Sequence, residues 1–120
     1  MVKIDSCGWG NIVVNGRQYH EVLIVREKVE PRDDERLEKE LGTDHLIGGW
    51  EQELLMRGNP EVIIIGTGQA GVLKVLEEVK EKLVNSGAEI KILLTPQAVS
   101  EFNRLASEGK KVNALIHTTC

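Results

Sequence analysis

Aromatic residues are scarce in this chain: two Trp, one Tyr and one Phe, 3% of 120 residues. A core built from this composition must be aliphatic. Cysteine is nearly absent too. Cys7 and Cys120 stand at opposite ends with no Cys-x-x-Cys, which excludes a disulfide framework or a zinc ribbon and leads us to expect two free thiols. No apolar run reaches the roughly 18 residues needed to span a bilayer as a helix. The opening Met1-Val2-Lys3-Ile4-Asp5-Ser6 has no apolar signal core, so the expected compartment is the cytosol, with no membrane partner. An excess of basic charge is missing as well. Fifteen Lys and Arg against nineteen Asp and Glu give a net charge of −4, which argues against a nucleic-acid partner; the Lys110-Lys111 pair is too small to change that. Gly-x-Ser-x-Gly, His-Glu-x-x-His and Walker-lysine motifs do not occur. There are no internal repeats or low-complexity segments.

What is present reads as one globular domain over residues 1–120. Hydrophobic residues make up 41% and charged residues 28%, an ordinary ratio for a folded chain. A chain this long buries about two-thirds of its unfolded surface, leaving about 6,400 Å² exposed. It needs no disulfide or metal staple.

The first third reads as an antiparallel ribbon. Ile12-Val13-Val14, Asn15-Gly16 and Arg17-Gln18-Tyr19 form a hairpin signal, because Asn-Gly accepts the positive φ of a type I′ turn. Gly8-Trp9-Gly10 marks an irregular entry, and Val22-Leu23-Ile24-Val25 is a further strand. The charged segment from Pro31 to Leu41 predicts a short surface helix, capped at Asp33 or Asp34, ended by Gly42, and solvated on most sides. A second short helix is expected over Trp50–Arg57, stopped by Gly58-Asn59-Pro60.

From Glu61 the pattern alternates between strands and helices. Val62-Ile63-Ile64-Ile65 is a strand buried on both faces. Val72, Val75, Leu76, Val79 and Leu83 recur at helical spacing. Ile90–Leu94 is a strand. Thr95-Pro96 opens a helix as N-cap and first-turn proline, with Ala98, Val99, Phe102 and Leu105 facing inward. Val112–Ile116 is the last strand. This β-α-β-α-β order predicts a parallel arrangement. The predicted fold class is therefore α/β.

Gly66-Thr67-Gly68-Gln69-Ala70-Gly71 matches G-x-G-x-x-G between a strand and a helix, the context of a dinucleotide fingerprint. The rest of that fingerprint fails. The next strand ends in Thr95 rather than an acid, and too little chain follows to complete a dinucleotide fold. No cofactor is expected. The glycines are best read as a tight turn that lets a helix approach the sheet. The same loop could also hold a small ligand or anion. In that case the carboxyl ends of the parallel strands gather Gly66, Thr67, Gly68, Gln69, Gly71, Thr95, His117 and Thr118 at one edge. His117-x-x-Cys120 lacks a paired second half, so no metal site is expected. No catalytic residue can be assigned. Trp9 and Trp50 are candidate partner contacts, since Trp is enriched at binding hot spots; packing is the simpler reading for both.

Together these segments resemble a family of small domains of unknown function. The resemblance rests on Val62–Gly68, on Thr95-Pro96, and on Phe102-Asn103-x-Leu105-x-x-Glu108-Gly109-Lys110-x-Val112-x-Ala114-Leu115-Ile116. The ending Ile116-His117-x-Thr119-Cys120 looks like archaeal members. The family's eukaryotic relatives include the mitochondrial respiratory complex I assembly factor three and the adipogenesis-associated domain protein. Bacterial and mitochondrial members carry an arginine ahead of Phe102-Asn103, where this chain has Val99-Ser100-Glu101. The resemblance implies a three-layer α/β domain: a mixed central sheet, helices on one side, and a β-ribbon plus a helix on the other. It implies no established activity. The expected function is a non-catalytic interaction or assembly module, with a protein partner or self-association. The alternative is a small-molecule or anion-binding protein, with or without catalysis, that uses the Gly66–Gly71 loop and the adjacent strand edge.

Overall fold

The computed structural model describes all 120 residues. Its accessible surface is 6428 Å², the value a chain of this mass is expected to keep. A three-stranded antiparallel sheet comes first: β1 (Ile4–Gly8), β2 (Asn11–Val14) and β3 (Arg17–Tyr19). Val14 pairs with Arg17 across Asn15-Gly16, and both turn residues have positive φ, 48° and 80°. This is the expected type I′ hairpin.

The ribbon then feeds directly into the main sheet. β4 (Val22–Val25) and β5 (Lys28–Pro31) form a second hairpin, closed by Arg26 and Glu27 at φ of 51° and 64°. Neither residue carries the usual Asn or Gly turn signal, so the sequence does not reveal this turn. α1 (Asp34–Leu41) follows. Asp33 caps it by accepting a bond from the Arg36 N–H at 3.0 Å, and Gly42 ends it in a left-handed conformation. α2 spans Gly49–Leu55. β6 (Val62–Thr67), α3 (Glu77–Asn85), β7 (Glu89–Leu93), α4 (Thr95–Ser107) and β8 (Val112–His117) complete the chain.

The five-stranded sheet has the order β5-β4-β8-β6-β7. β6 runs parallel to β7 and β8, and β4 runs antiparallel to β8 and β5. The central sheet is therefore mixed. Alternating residues feed two aliphatic cores. Val62 and Ile64 join Val2, Ile4, Ile12 and Val14 of the ribbon and Ala98, Phe102 and Leu105 of α4 on one face. Ile63 and Ile65 join Leu55 of α2, Leu73 and Leu83 on the other. Truncating Phe102, the largest fully buried side chain, would cost about 3–5 kcal/mol.

Two expectations about elements need correction. Helical spacing from Val72 places a helix directly after the glycine loop, but α3 starts only at Glu77. The Leu73 N–H bonds to the Thr67 carbonyl at 3.1 Å and the Lys74 N–H to the His45 carbonyl at 2.9 Å. These bonds, neither of them helical, hold the segment out of a helix while Leu73 is driven into the core. Thr95 is not the N-cap of α4 either; Leu94 is, and Thr95 is the first helical residue.

Candidate functional site

Strand register brings charged residues together at one end of the sheet. Val22 pairs with Pro31 across the β4–β5 hairpin and with Ile116 of β8. The residues next along, Glu21, Arg32 and His117, are therefore neighbours. All three are buried, at 1%, 5% and 0% exposure. Glu51, from the first turn of α2, is fully buried beside them. Arg32 opens a segment whose composition predicts a solvated face. In fact its guanidinium is the hub of a buried network.

All five guanidinium N–H donors are used. Nε and Nη2 donate to the two Glu51 carboxylate oxygens at 2.8 Å each. Nη1 donates to Glu21 Oε1 at 2.9 Å and to the Asp44 carbonyl at 3.0 Å. Nη2 also donates to the Leu46 carbonyl at 3.0 Å. Glu51 Oε1 additionally accepts the Gly48 N–H at 2.9 Å. Such a bidentate, fully satisfied guanidinium is the arrangement that makes a buried ion pair tolerable. Burial works against the Arg32 charge, but Glu51 and Glu21 outweigh it and raise the pKa.

The other oxygen of Glu21 faces His117. Oε2 lies 2.7 Å from His117 Nδ1, and neither atom has a further hydrogen-bond partner. Burial pushes the Glu21 carboxyl up, but hydrogen bonds from His117 and Arg32 outweigh it and hold the pKa below the usual value. The ring of His45 stands edge-on to that of His117, with centroids 5.3 Å apart. Asp44 Oδ1 is 3.4 Å from His45 Nε2. Asp34 faces the same cluster, and its pKa is raised by burial and by the Glu21 charge.

The glycine loop lies beside this cluster. As parallel pairing predicts, Gly66 and Thr67 stand next to Ile116 and His117. The N–H donors of Gly68, Gln69 and Ala70, however, are engaged within the chain. The Gln69 N–H donates to the Thr119 carbonyl at 2.7 Å, and the Ala70 and Val72 N–H groups donate to the Cys120 carbonyl at 2.8 and 3.1 Å. The Gly68 N–H donates to Thr95 Oγ1 at 2.9 Å, and that hydroxyl donates to the His117 carbonyl at 2.5 Å. The Thr95 side chain is therefore a clasp between two loops. Thr118 Oγ1 donates to the His20 carbonyl at 2.6 Å. Gly68 has φ of 108°, and an added Cβ would press on the Cys120 backbone and lie 2.8 Å from His117 Cδ2. At Gly66 an added Cβ would meet Thr95, Ala98 and Ile116 at 3.1–3.3 Å, so this glycine admits α4 close to the sheet. The N-terminus of α3 does not abut the loop, because α3 begins six residues after Gly71; the first turn of α4 does, and its Thr95 N–H donates to the Gly68 carbonyl at 3.1 Å.

The two tryptophans differ. Trp50 is half-buried under the Arg36 guanidinium, 4.1 Å from the ring centroid, and so ties α1 to α2. Trp9 is 64% exposed on the β1–β2 turn. Cys7 and Cys120 are free, half-buried thiols, and burial pushes the Cys7 pKa up. Sequence reasoning finds His117 but misses Glu21, Arg32, Glu51, Asp44 and His45. They come from four separate segments and form no motif.

No helix in the chain is long and apolar enough to cross a membrane. The chain is 26% identical over 109 residues to the "13 kDa major membrane protein" of Francisella tularensis subsp. holarctica, spanning 89% of this chain and 83% of that one. Among solved structures, MT938 superposes with a TM-score of 0.80 at 30% identity over the full length of both chains. A conserved hypothetical protein from Pyrococcus horikoshii superposes with a TM-score of 0.83 at 28% identity, covering 98% of this chain and 99% of that one. These neighbours share the mixed α/β architecture. Residues 4–117 match the family described as protein of unknown function (DUF498/DUF598), and the chain belongs to that family.

Proposed function

We propose that this chain is a non-catalytic interaction module that docks a partner polypeptide along the free edge of β7. The two edges of the main sheet are treated differently. β5 is blunted by Lys28, Glu30 and Pro31, the charges and proline that discourage strand addition. β7 ends the opposite side with Ile92 37% exposed, and Leu94, Val72 and Leu76 are 40–44% exposed. β7 carries Glu89 and Lys91 but no proline, and the exposed aliphatic side chains beside them carry the reading: an edge strand with apolar side chains on offer is what an added strand recognises. The resemblance to a family whose eukaryotic relatives include an assembly factor of respiratory complex I supports an interaction role, and the ending Ile116-His117-x-Thr119-Cys120 supports an archaeal-type member. The name of the Francisella relative concerns that protein; for this chain we assign the cytosol. Affinity capture under native conditions, with light scattering of the purified chain, tests the reading. The expected result is a stable partner or a dimer. Recovery of the monomer alone would overturn it.

A second reading is carried by a cleft of about 480 Å³ lined by Arg26, Arg57, Lys110 and Lys111 over a floor that includes Ile24 and Phe102. Four cations and one carboxylate, Glu27, line it in a chain of net charge −4. Gly58 makes room for the Arg26 side chain, whose Cγ would lie 2.6 Å from an added Cβ. This favours a small anion, held at the cleft and away from the glycine loop. Titration with inorganic phosphate should shift the amide resonances of Arg26, Arg57 and Lys110; unchanged spectra would exclude it.

A further inference from the structure

We propose that Asp44, His45 and His117 form a binding site for a borderline transition-metal dication of the zinc type. One carboxylate oxygen and one ring nitrogen from each histidine lie within 4.8 Å of one another. Donors on a tetrahedral zinc are separated by about 3.4 Å, given metal–ligand distances of about 2.0–2.2 Å. Closing the set thus takes about 1 Å of side-chain movement. Asp44 and His45 can supply it, since their side chains are 34% and 39% exposed. That exposure also opens the site to incoming metal and leaves a coordination position for water.

The surroundings favour such a site. His117 is fully buried, and Glu21 stands against its Nδ1 at 2.7 Å. A carboxylate behind a histidine is the usual means of orienting a metal ligand. The loop that carries the other two ligands is held at several points. Arg32 binds the carbonyls of Asp44 and Leu46, the Lys74 N–H binds the His45 carbonyl, and the His45 N–H binds Thr43 Oγ1 at 3.0 Å. Arg32 is itself anchored by Glu21 and Glu51. One buried network therefore positions all three ligands, His117 through Glu21 and the loop through Arg32.

The charge balance points the same way. Carboxylate oxygens of Glu21, Asp34 and Asp44 lie within 4.8 Å of one another. With Glu51 they make four carboxylates around one arginine and the histidines, so negative charge is in excess at this end of the sheet. A dication relieves that excess in a place where charge is poorly screened. Two nitrogens and one carboxylate suit Zn²⁺, Co²⁺ or Fe²⁺ better than Mg²⁺ or Ca²⁺, which take oxygen ligands.

The test is calorimetric titration of the chelator-stripped full chain with Zn²⁺, with the visible spectrum of Co²⁺ as a second readout. The expected result is one ion per chain and a Co²⁺ spectrum of low coordination number. His45→Ala and Asp44→Asn, both at half-exposed positions, should fold normally and each weaken binding at least tenfold. His20→Ala and Cys120→Ser should leave it unchanged. No uptake by the parent chain would overturn the proposal. So would affinity insensitive to His45→Ala, or affinity lost with Cys120→Ser instead.

Discussion

At the residue scale the energetics centre on Arg32. Its five donors satisfy two buried carboxylates and two carbonyls. Removing the guanidinium leaves Glu21 and Glu51 charged in a buried site. Arg32→Met should therefore destabilise the fold by about 3–5 kcal/mol, measured as a shift in the guanidinium chloride midpoint. The Glu21 pKa is depressed in the folded chain, so its contribution is fully present above the ordinary glutamate range. That contribution is lost as pH falls through the lower, folded value. Stability should drop below pH ~4.5, and Glu21→Gln should flatten this part of the profile. Glu101 is held to about 2 by Arg104 and then Lys91 and titrates with the same sign. It lies at the surface, however, where such pairs contribute little. None of the Arg32 network was legible in the sequence. Arg32 sits in a run of charges that reads as solvent-facing, and only the register of Val22 with Pro31 and Ile116 buries it.

At the scale of elements, legibility followed local chemistry. Asn15-Gly16 announces its own turn, Asp33 its cap, and the Val62–Ile65 run its burial on both faces. The β4–β5 turn is closed by Arg26 and Glu27, whose positive φ has no compositional signal. Hydrophobic spacing places the start of α3 too early because it cannot show that the Leu73 N–H bonds back to Thr67 and the Lys74 N–H bonds to the distant His45 carbonyl. Strand order puts the glycine loop at the ends of β6 and β8, but it does not show that the Gln69 and Ala70 N–H groups bind the carbonyls of Thr119 and Cys120. This makes the loop a seam. Gly68→Val would combine strain at φ of 108° with overlap against Cys120 and His117. The expected cost is about 2 kcal/mol or more in thermal unfolding. If Gly68→Val left the melting temperature unchanged, the loop would have to open without loss, contrary to the bonds described above.

At the scale of the whole molecule, the fold divides its surface by chemistry. The carboxylate and histidine cluster occupies one end of the sheet. The cleft lined by Arg26, Arg57, Lys110 and Lys111 is formed elsewhere, and β7 presents an aliphatic edge. The two cores on either side of the sheet do not depend on Ile92, which belongs to neither. Ile92→Lys should therefore leave the unfolding midpoint within about 0.5 kcal/mol of the parent. Placing a charge on the edge is also the device by which natural sheets refuse an added strand. The two effects separate folding from docking. If β7 is the interface, Ile92→Lys is a folded monomer that no longer retains its partner in native capture, while Trp9→Ala, on the β1–β2 turn, still retains it. The reverse pattern would move the interface to the exposed Trp9.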